Sequence, residues 1–415
     1  MPATGSMRGR LRVRLVVPGN VLHNSGGNVY NAALARELAA LGVDVETCRL
    51  DGGWPVGSAA DRRRLLALLC GDQADGDEAP GDVGAVASGA NEGQGARPRR
   101  TVTLVDGLLG CGVPDELAAA AATGRPAWIL LHMPLADTGQ NEATLERRAL
   151  QAAAGVICTS GSAAARIRTL HGLDGLHTAL PGTDAAAPAS GSEPPHFLAV
   201  AALLPNKDQL LLLGALSALL DLPWTASLIG SDTADPGYAA LIRETATGLG
   251  LEDRLRIPGE LRGAALEAEW AAADLSLLIS QAETFGLVVT ESMARGVPVI
   301  VRAGTGAVEA LASGTPPSAA TLPGTAVDLE SDPAPLAGVL RHWLSEPALR
   351  RRWRSAALAA RGRLPGWDAT AHAVLAILHP EDPEHPAAPP AGPPAARRHR
   401  PRAGEDSPAP QAGGQ

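Results

Sequence analysis

SQAETFGLVVTESMARGVPVIVRAGTGAVEAL, residues 280–311, holds a glycine turn, a helical run and then VPVIV, a short apolar run without polar interruption. A strand that is apolar on both sides is buried between two helical layers, as the strands of parallel sheets are. The glycine loop AGTGA then leads into further helix, so the stretch reads as one piece of an α/β fold.

The alternation continues outward from this piece. FLAVAA, WTASLIG, RLRIPG and DLSLLIS precede it as strands of one series, while LRVRLVV, TVTLVD (101–106), AWILLH (127–132) and GVICTS (155–160) form an earlier one. After LRVRLVV, the loop PGNVLHNSGGN opens a helix with Tyr30, Leu34, Leu38 and Leu41 on one face and Gly42 just past its end. Between the two series PGTDAAAPASGSEPPH (181–196) has linker composition. The expected organisation is therefore two α/β domains, 1–184 and 195–362, joined by a hinge, and 415 residues suit two cores better than one. Residues 72–100 are polar, Gly-rich and aperiodic and read as a disordered insertion; its Asp75 and Asp77 lack the rigid frame a metal site needs. The Pro/Ala/Arg-rich tail, 380–415, reads as unfolded.

A net charge of −9 argues against a general nucleic-acid binder and leaves anionic small molecules as partners. Cys48, Cys70, Cys111 and Cys158 show neither metal-site spacing nor a disulfide framework and read as four buried thiols of a cytoplasmic protein. No apolar run has membrane-spanning length. No amphipathic basic helix points to membrane docking, though a weak peripheral contact stays open. Among 35 basic side chains only Lys207 is a lysine, in LLPNKD, which suggests a place where arginine will not do.

Within 280–311, Glu283 and Glu291 stand eight apart around Phe285 and Gly286. If helix begins near Gly286, that separation is at most about 12 Å, comparable to a sugar-diphosphate-ribose unit. The free N–H groups at the helix start would face a diphosphate, with one carboxylate on sugar hydroxyls and the other on the ribose. By spacing alone, two glutamates flanking a helix start are more often solvent-exposed than ligand-bound.

This run resembles the E-x7-E signature of family-4-type retaining glycosyltransferases, whose GT-B fold sets two Rossmann-like domains with parallel sheets face to face. The resemblance is collinear over most of the chain: SGGNVYNAALARELAALGVDV, ERRALQAAAGVICTS, LPGTD and LLPNKD each resemble a segment of the family, in order. LPGWDATAHAVLAIL resembles the family's closing helix, expected at 363–379 and returning to the first domain.

The resemblance implies a site. Glu283 would hold donor-sugar hydroxyls, Phe285, Gly286 and Leu287 would offer backbone N–H groups, and Glu291 would bind the ribose. Gly26 and Gly27 would let the first loop approach the donor phosphate, with Asn28 beside them. Thr305 and Gly306 would line the pocket from a second glycine loop or form an ordinary turn. Lys207 would meet the diphosphate as a compact charge, although Ala202 stands where the family places an arginine. His132, leaving a strand's carboxyl end, would contact the sugar or the reacting centre, or shape its loop as a hydrogen-bonded histidine.

The implied activity is a metal-independent retaining transfer from a nucleoside-diphosphate sugar to an unknown acceptor, with no cofactor. Tyr30, Asn31 and the loop after His132 are candidate acceptor lining. A catalytically silent GT-B module that binds a nucleotide or a partner protein is the alternative, favoured by Ala202. A nicotinamide-dependent enzyme fits poorly, because NSGGNVY lacks GxGxxG spacing.

Overall fold

A computed structural model describes residues 11–20, 25–71, 100–135 and 140–379. The expected insertion, apart from Arg100, and the expected tail lie outside the described residues. The first sheet comprises β1 (Leu11–Pro18), β2 (Asp44–Leu50), β3 (Arg100–Asp106), β4 (Trp128–Leu131), β5 (Gly155–Cys158) and β6 (His177–Thr178), in the order β2-β1-β3-β4-β5-β6. The second comprises β7 (His196–Val200), β8 (Thr225–Ile229), β9 (Leu255–Gly259), β10 (Leu275–Leu278), β11 (Val299–Arg302) and β12 (Gly324–Val327), in the order β12-β11-β10-β7-β8-β9. Every strand pair is parallel.

Parallel strands need crossover helices, and these bury both faces of the sheet. Val13, Leu15, Leu104 and Ile129 in the first sheet, and Leu198, Leu275, Val299 and Ile300 in the second, are accordingly buried. Each strand order reverses once, at β1/β3 and at β7/β10, and a parallel sheet opens a ligand crevice at the carboxyl ends of such a pair. The loops after β3, β7 and β10 and the start of the helix Gly26–Ala40 therefore border these crevices.

The chain crosses between domains twice, side by side. Thr183 N–H donates to Pro365 C=O at 2.9 Å and the Thr370 hydroxyl donates to Leu180 C=O at 2.7 Å. Gly182 packs so closely that a Cβ there would overlap the backbone of Gly366 and Trp367. The second crossing delivers the helix Trp367–Leu378, which lies against the helix Gly26–Ala40. Its Trp367, Ala371, Val374 and Leu378 complete the core around Tyr30, Leu34 and Leu38.

Two expectations are corrected. Cys111 and Cys158 are buried, but Cys48 and Cys70 are half-buried. Burial pushes the Cys158 thiol up to about 12 and raises Cys111 and Cys48 as well. The helix Pro347–Arg361 is basic and amphipathic, contrary to the reading that none exists: Leu349, Trp353, Ala357 and Ala360 face inward while Arg351 and Arg352 are exposed. Arg354 and Arg361 instead donate to backbone carbonyls, of Ala189 and of Ala294 and Ala186, and so tie this helix to the hinge. No helix among the described residues is long and apolar enough to cross a membrane.

Candidate active site

Glu283 sits in the turn between β10 and the helix Leu287–Ala294. Gly286 caps that helix at φ 89°, a left-handed conformation that side chains resist, and a Cβ there would lie 2.7 Å from Leu278 Cδ2. The turn is closed from beneath: Gly306 N–H donates to Glu283 C=O at 2.7 Å, and a Cβ on Gly306 would overlap the Thr284 carbonyl. Thr305 turns its hydroxyl back to Arg302 C=O at 3.0 Å. Gly306 thus braces the Glu283 turn with the amide a ligand would otherwise engage, while the Thr305 hydroxyl is spent within its own loop.

Lys207 ends a 3-10 turn, Pro205–Lys207, after β7, and its Nζ lies 2.6 Å from Glu283 Oε1. Asp208 next to it holds φ 59°, unusual for a residue with a side chain. The buried Arg302 secures it, pairing with the Asp208 carboxylate while its Nε donates to Ile279 C=O at 2.8 Å. Gln281 N–H donates to Asn206 C=O at 2.9 Å, joining the Lys207 and Glu283 loops. Arg302 is therefore the arginine that reaches this loop, and it holds backbone and Asp208 rather than replacing the guanidinium absent at Ala202. The Ala202 carbonyl accepts Gln209 Nε2 at 2.9 Å.

From the first domain, Ser25 caps the helix Gly26–Ala40 by accepting Asn28 N–H at 3.2 Å, which leaves that amide occupied. A Cβ on Gly26 would stand 3.7 Å from Leu287 Cδ1, and one on Gly27 3.3 Å from His132 Cδ2. The starts of two helices, at Gly26 and Leu287, thus meet across the cleft beside His132. Leu287 packs against the cores of both domains. Phe285 points into the second core, leaving its backbone as the part available at the cleft.

His132 is held from behind. Its Nε2 lies 3.0 Å from Asn31 Oδ1 and 3.4 Å from Asp106 Oδ2, and Asn31 Nδ2 donates to Asp106 Oδ2 at 2.6 Å. Burial alone would raise the Asp106 carboxyl, but the charge and hydrogen bond of His132, with Leu108 N–H and Asn31, hold it below its ordinary value. Sequence reasoning missed Asp106; its signal was an aspartate ending the buried run TVTLVD at a strand's carboxyl end. Tyr30 and Asn31 do not line an acceptor pocket, because both are buried: Tyr30 stacks edge-on to His132 and donates its hydroxyl to Ala179 C=O at 3.0 Å. Met133, in the loop after His132, is exposed.

Glu291 lies in the body of the helix that starts at Leu287 and is half-buried. Burial pushes its carboxyl above the usual range, against the opposing charge of Arg295. Of the sequence-derived set, the structure brings Lys207, Glu283, Gly286, Leu287, Gly26, Gly27 and His132 to one cleft.

Residues 183–359 match the family model for glycosyl transferases group 1. Over 395 residues, 85% of this chain and 89% of the relative, the chain is 29% identical to the D-inositol 3-phosphate glycosyltransferase of Kineococcus radiotolerans. The chain is a glycosyltransferase. Among solved structures the transferase resembles sucrose-phosphate synthase from Thermosynechococcus elongatus, with a TM-score of 0.67 at 17% identity, covering 89% of this chain and 99% of that one. It also resembles Anabaena HepE in complex with UDP, with a TM-score of 0.63 at 18% identity and coverage of 89% and 99%. At such identities the likeness speaks for the fold, and the transferase has the GT-B architecture.

Proposed function

We propose that this glycosyltransferase is of the family-4 type, using Glu283 and Glu291 as its E-x7-E pair to transfer a sugar from a nucleoside-diphosphate sugar with retention at the anomeric carbon. The observation that carries the reading is the 2.6 Å pair of Lys207 and Glu283 in a cleft where two helix N-termini meet. A cation and an anion side by side match a donor whose diphosphate is negative and whose sugar is rich in hydroxyl donors. When the donor enters, Lys207 turns to the diphosphate and Glu283 accepts from sugar hydroxyls.

As the bond from the anomeric carbon to phosphate breaks, its electron pair stays with the phosphate oxygen. Lys207 and the helix-start amides stabilise that charge from fixed positions, a role that in this reading requires no metal. The acceptor hydroxyl attacks from the face the nucleotide leaves, its proton passing to the departing phosphate oxygen, beside His132, which Asp106 and Asn31 keep in one orientation. Glu291 accepts the ribose hydroxyls. The free cysteines support a reducing, cytoplasmic setting. The acceptor is bound on the first-domain side.

Thermal unfolding with UDP, GDP, ADP and NAD tests this. One nucleoside diphosphate at ~100 times its dissociation constant is expected to add about 2.7 kcal/mol. Lys207→Arg and Glu291→Ala are each expected to shrink the shift, and NAD to give none. No shift with any diphosphate would remove the donor site and leave a silent module, the reading that Ala202 favours.

A further inference from the structure

The turn bearing Glu283 is gripped from both domains. On its own side, Gly306 N–H holds the Glu283 carbonyl at 2.7 Å. From the first domain, the buried Ser160 hydroxyl donates to the next carbonyl, that of Thr284, at 2.5 Å. Ser160 also caps the helix Gly161–His171, accepting Ala163 N–H at 2.9 Å. The second domain answers at the same helix start. Glu309, three residues beyond Gly306, accepts Gly161 N–H at 3.0 Å and Ser162 N–H at 2.8 Å, one on each carboxylate oxygen.

These contacts form a closed ring through both domains, running from Glu309 to the helix start, Ser160, Thr284, Glu283, Gly306 and back. A carboxylate at a helix N-terminus gains from charge-assisted hydrogen bonds and from the macrodipole together. The domains cannot pivot apart without breaking all three cross-domain bonds, and breaking them frees the carbonyl next to Glu283.

We propose that Ser160 and Glu309 are positioning residues that latch the closed transferase and, through the Thr284 carbonyl, set the turn so that Glu283 meets the donor sugar only when the domains are latched. The proposal rests on Glu283 being the donor-sugar carboxylate. It also separates two duties: Lys207 and Glu291, the side chains assigned to the nucleotide, both belong to the second domain and lie outside the ring, whereas sugar transfer needs the latch.

Hydrogen exchange of the Gly306 amide in Ser160→Ala and Glu309→Ala is the direct test, because this amide lies in one domain and both the Ser160 hydroxyl and the amides that Glu309 grips lie in the other. Both variants are expected to speed Gly306 exchange by about tenfold or more while β11 amides stay unchanged. Loss of the helix cap alone would speed only Gly161, Ser162 and Ala163, and that result would overturn the latch.

The second readout is nucleotide release from UDP-glucose, GDP-mannose or ADP-glucose, with the dissociation constant of UDP, GDP or ADP measured alongside. kcat is expected to fall about tenfold in Glu309→Ala with nucleotide affinity within about twofold of the original, and Glu309→Gln, keeping one acceptor oxygen, to fall between. A parallel loss of affinity and kcat would overturn the positioning role. A starting protein that binds none of the three diphosphates would overturn the donor reading and this role with it. An unchanged Gly306 amide in a protein that binds one of them would overturn the latch alone.

Discussion

Asp106 shows how one buried carboxylate can govern a cleft it does not line. It is 4% exposed, takes hydrogen bonds from Asn31 and Leu108, and faces His132. Because its folded value is held below the ordinary range, its contribution to stability is full above about pH 4 and is lost as pH falls through that depressed value. Asp106→Asn is therefore expected to destabilise by about 1–3 kcal/mol at pH 7 and by less at pH 3. Chemical denaturation at the two pH values checks this, and an equal loss at both would show that packing rather than charge is at work. The residues that bind one another here were hard to read in the sequence. Asn31, Asp106 and His132 lie far apart along the chain and meet only because β3 and β4 end, and the first helix begins, at the same edge. Lys207 was legible for the opposite reason, as a single lysine in a chain that elsewhere uses arginine.

At the level of elements, the loops after β10 and β11 act as one unit, because Gly306 fits only against the bare backbone of Glu283 and Thr284. Gly286 is the stiffest constraint in it. Gly286→Ala is expected to cost about 1–3 kcal/mol, since a side chain must adopt φ 89° and displace Leu278. Melting curves would show it, together with a smaller shift from nucleoside diphosphate; an alanine variant as stable as the original would mean the turn relaxes freely. The strands flanking this unit were readable because both faces are buried, which writes continuous apolar runs into the sequence. β2 carried no such signal: DVETCRL lies at a sheet edge, is half exposed and places Asp44 and Glu46 against Arg12 and Arg14. β6, at two residues, is too short for any period to register, and the four-residue β12 lies at the other sheet's edge. The latch was likewise invisible, since Ser160 and Glu309 look like an ordinary cap and an ordinary helical acid until the domains face each other.

Over the whole molecule, the alternation of short strands and longer helices foretold two parallel sheets, and the reversal in each strand order explains why the cleft forms where it does. The closing helix is the structural joint between them. Trp367→Ala is expected to cost about 3–5 kcal/mol, because the ring packs edge-on to Tyr30 at 5.6 Å in the first core while its backbone backs the hinge at Gly182. Unfolding followed separately in each domain would place the loss in the first; a loss confined to the second would contradict this packing. The position of this helix also has a consequence for synthesis. The first domain leaves the ribosome with its sheet complete but one wall missing, so the apolar face of Tyr30, Leu34 and Leu38 stays bare until the second domain has been translated. A chaperone that shields that face early, or a stop codon placed before the helix Trp367–Leu378, would reach the first domain's solubility through residues encoded after the second domain.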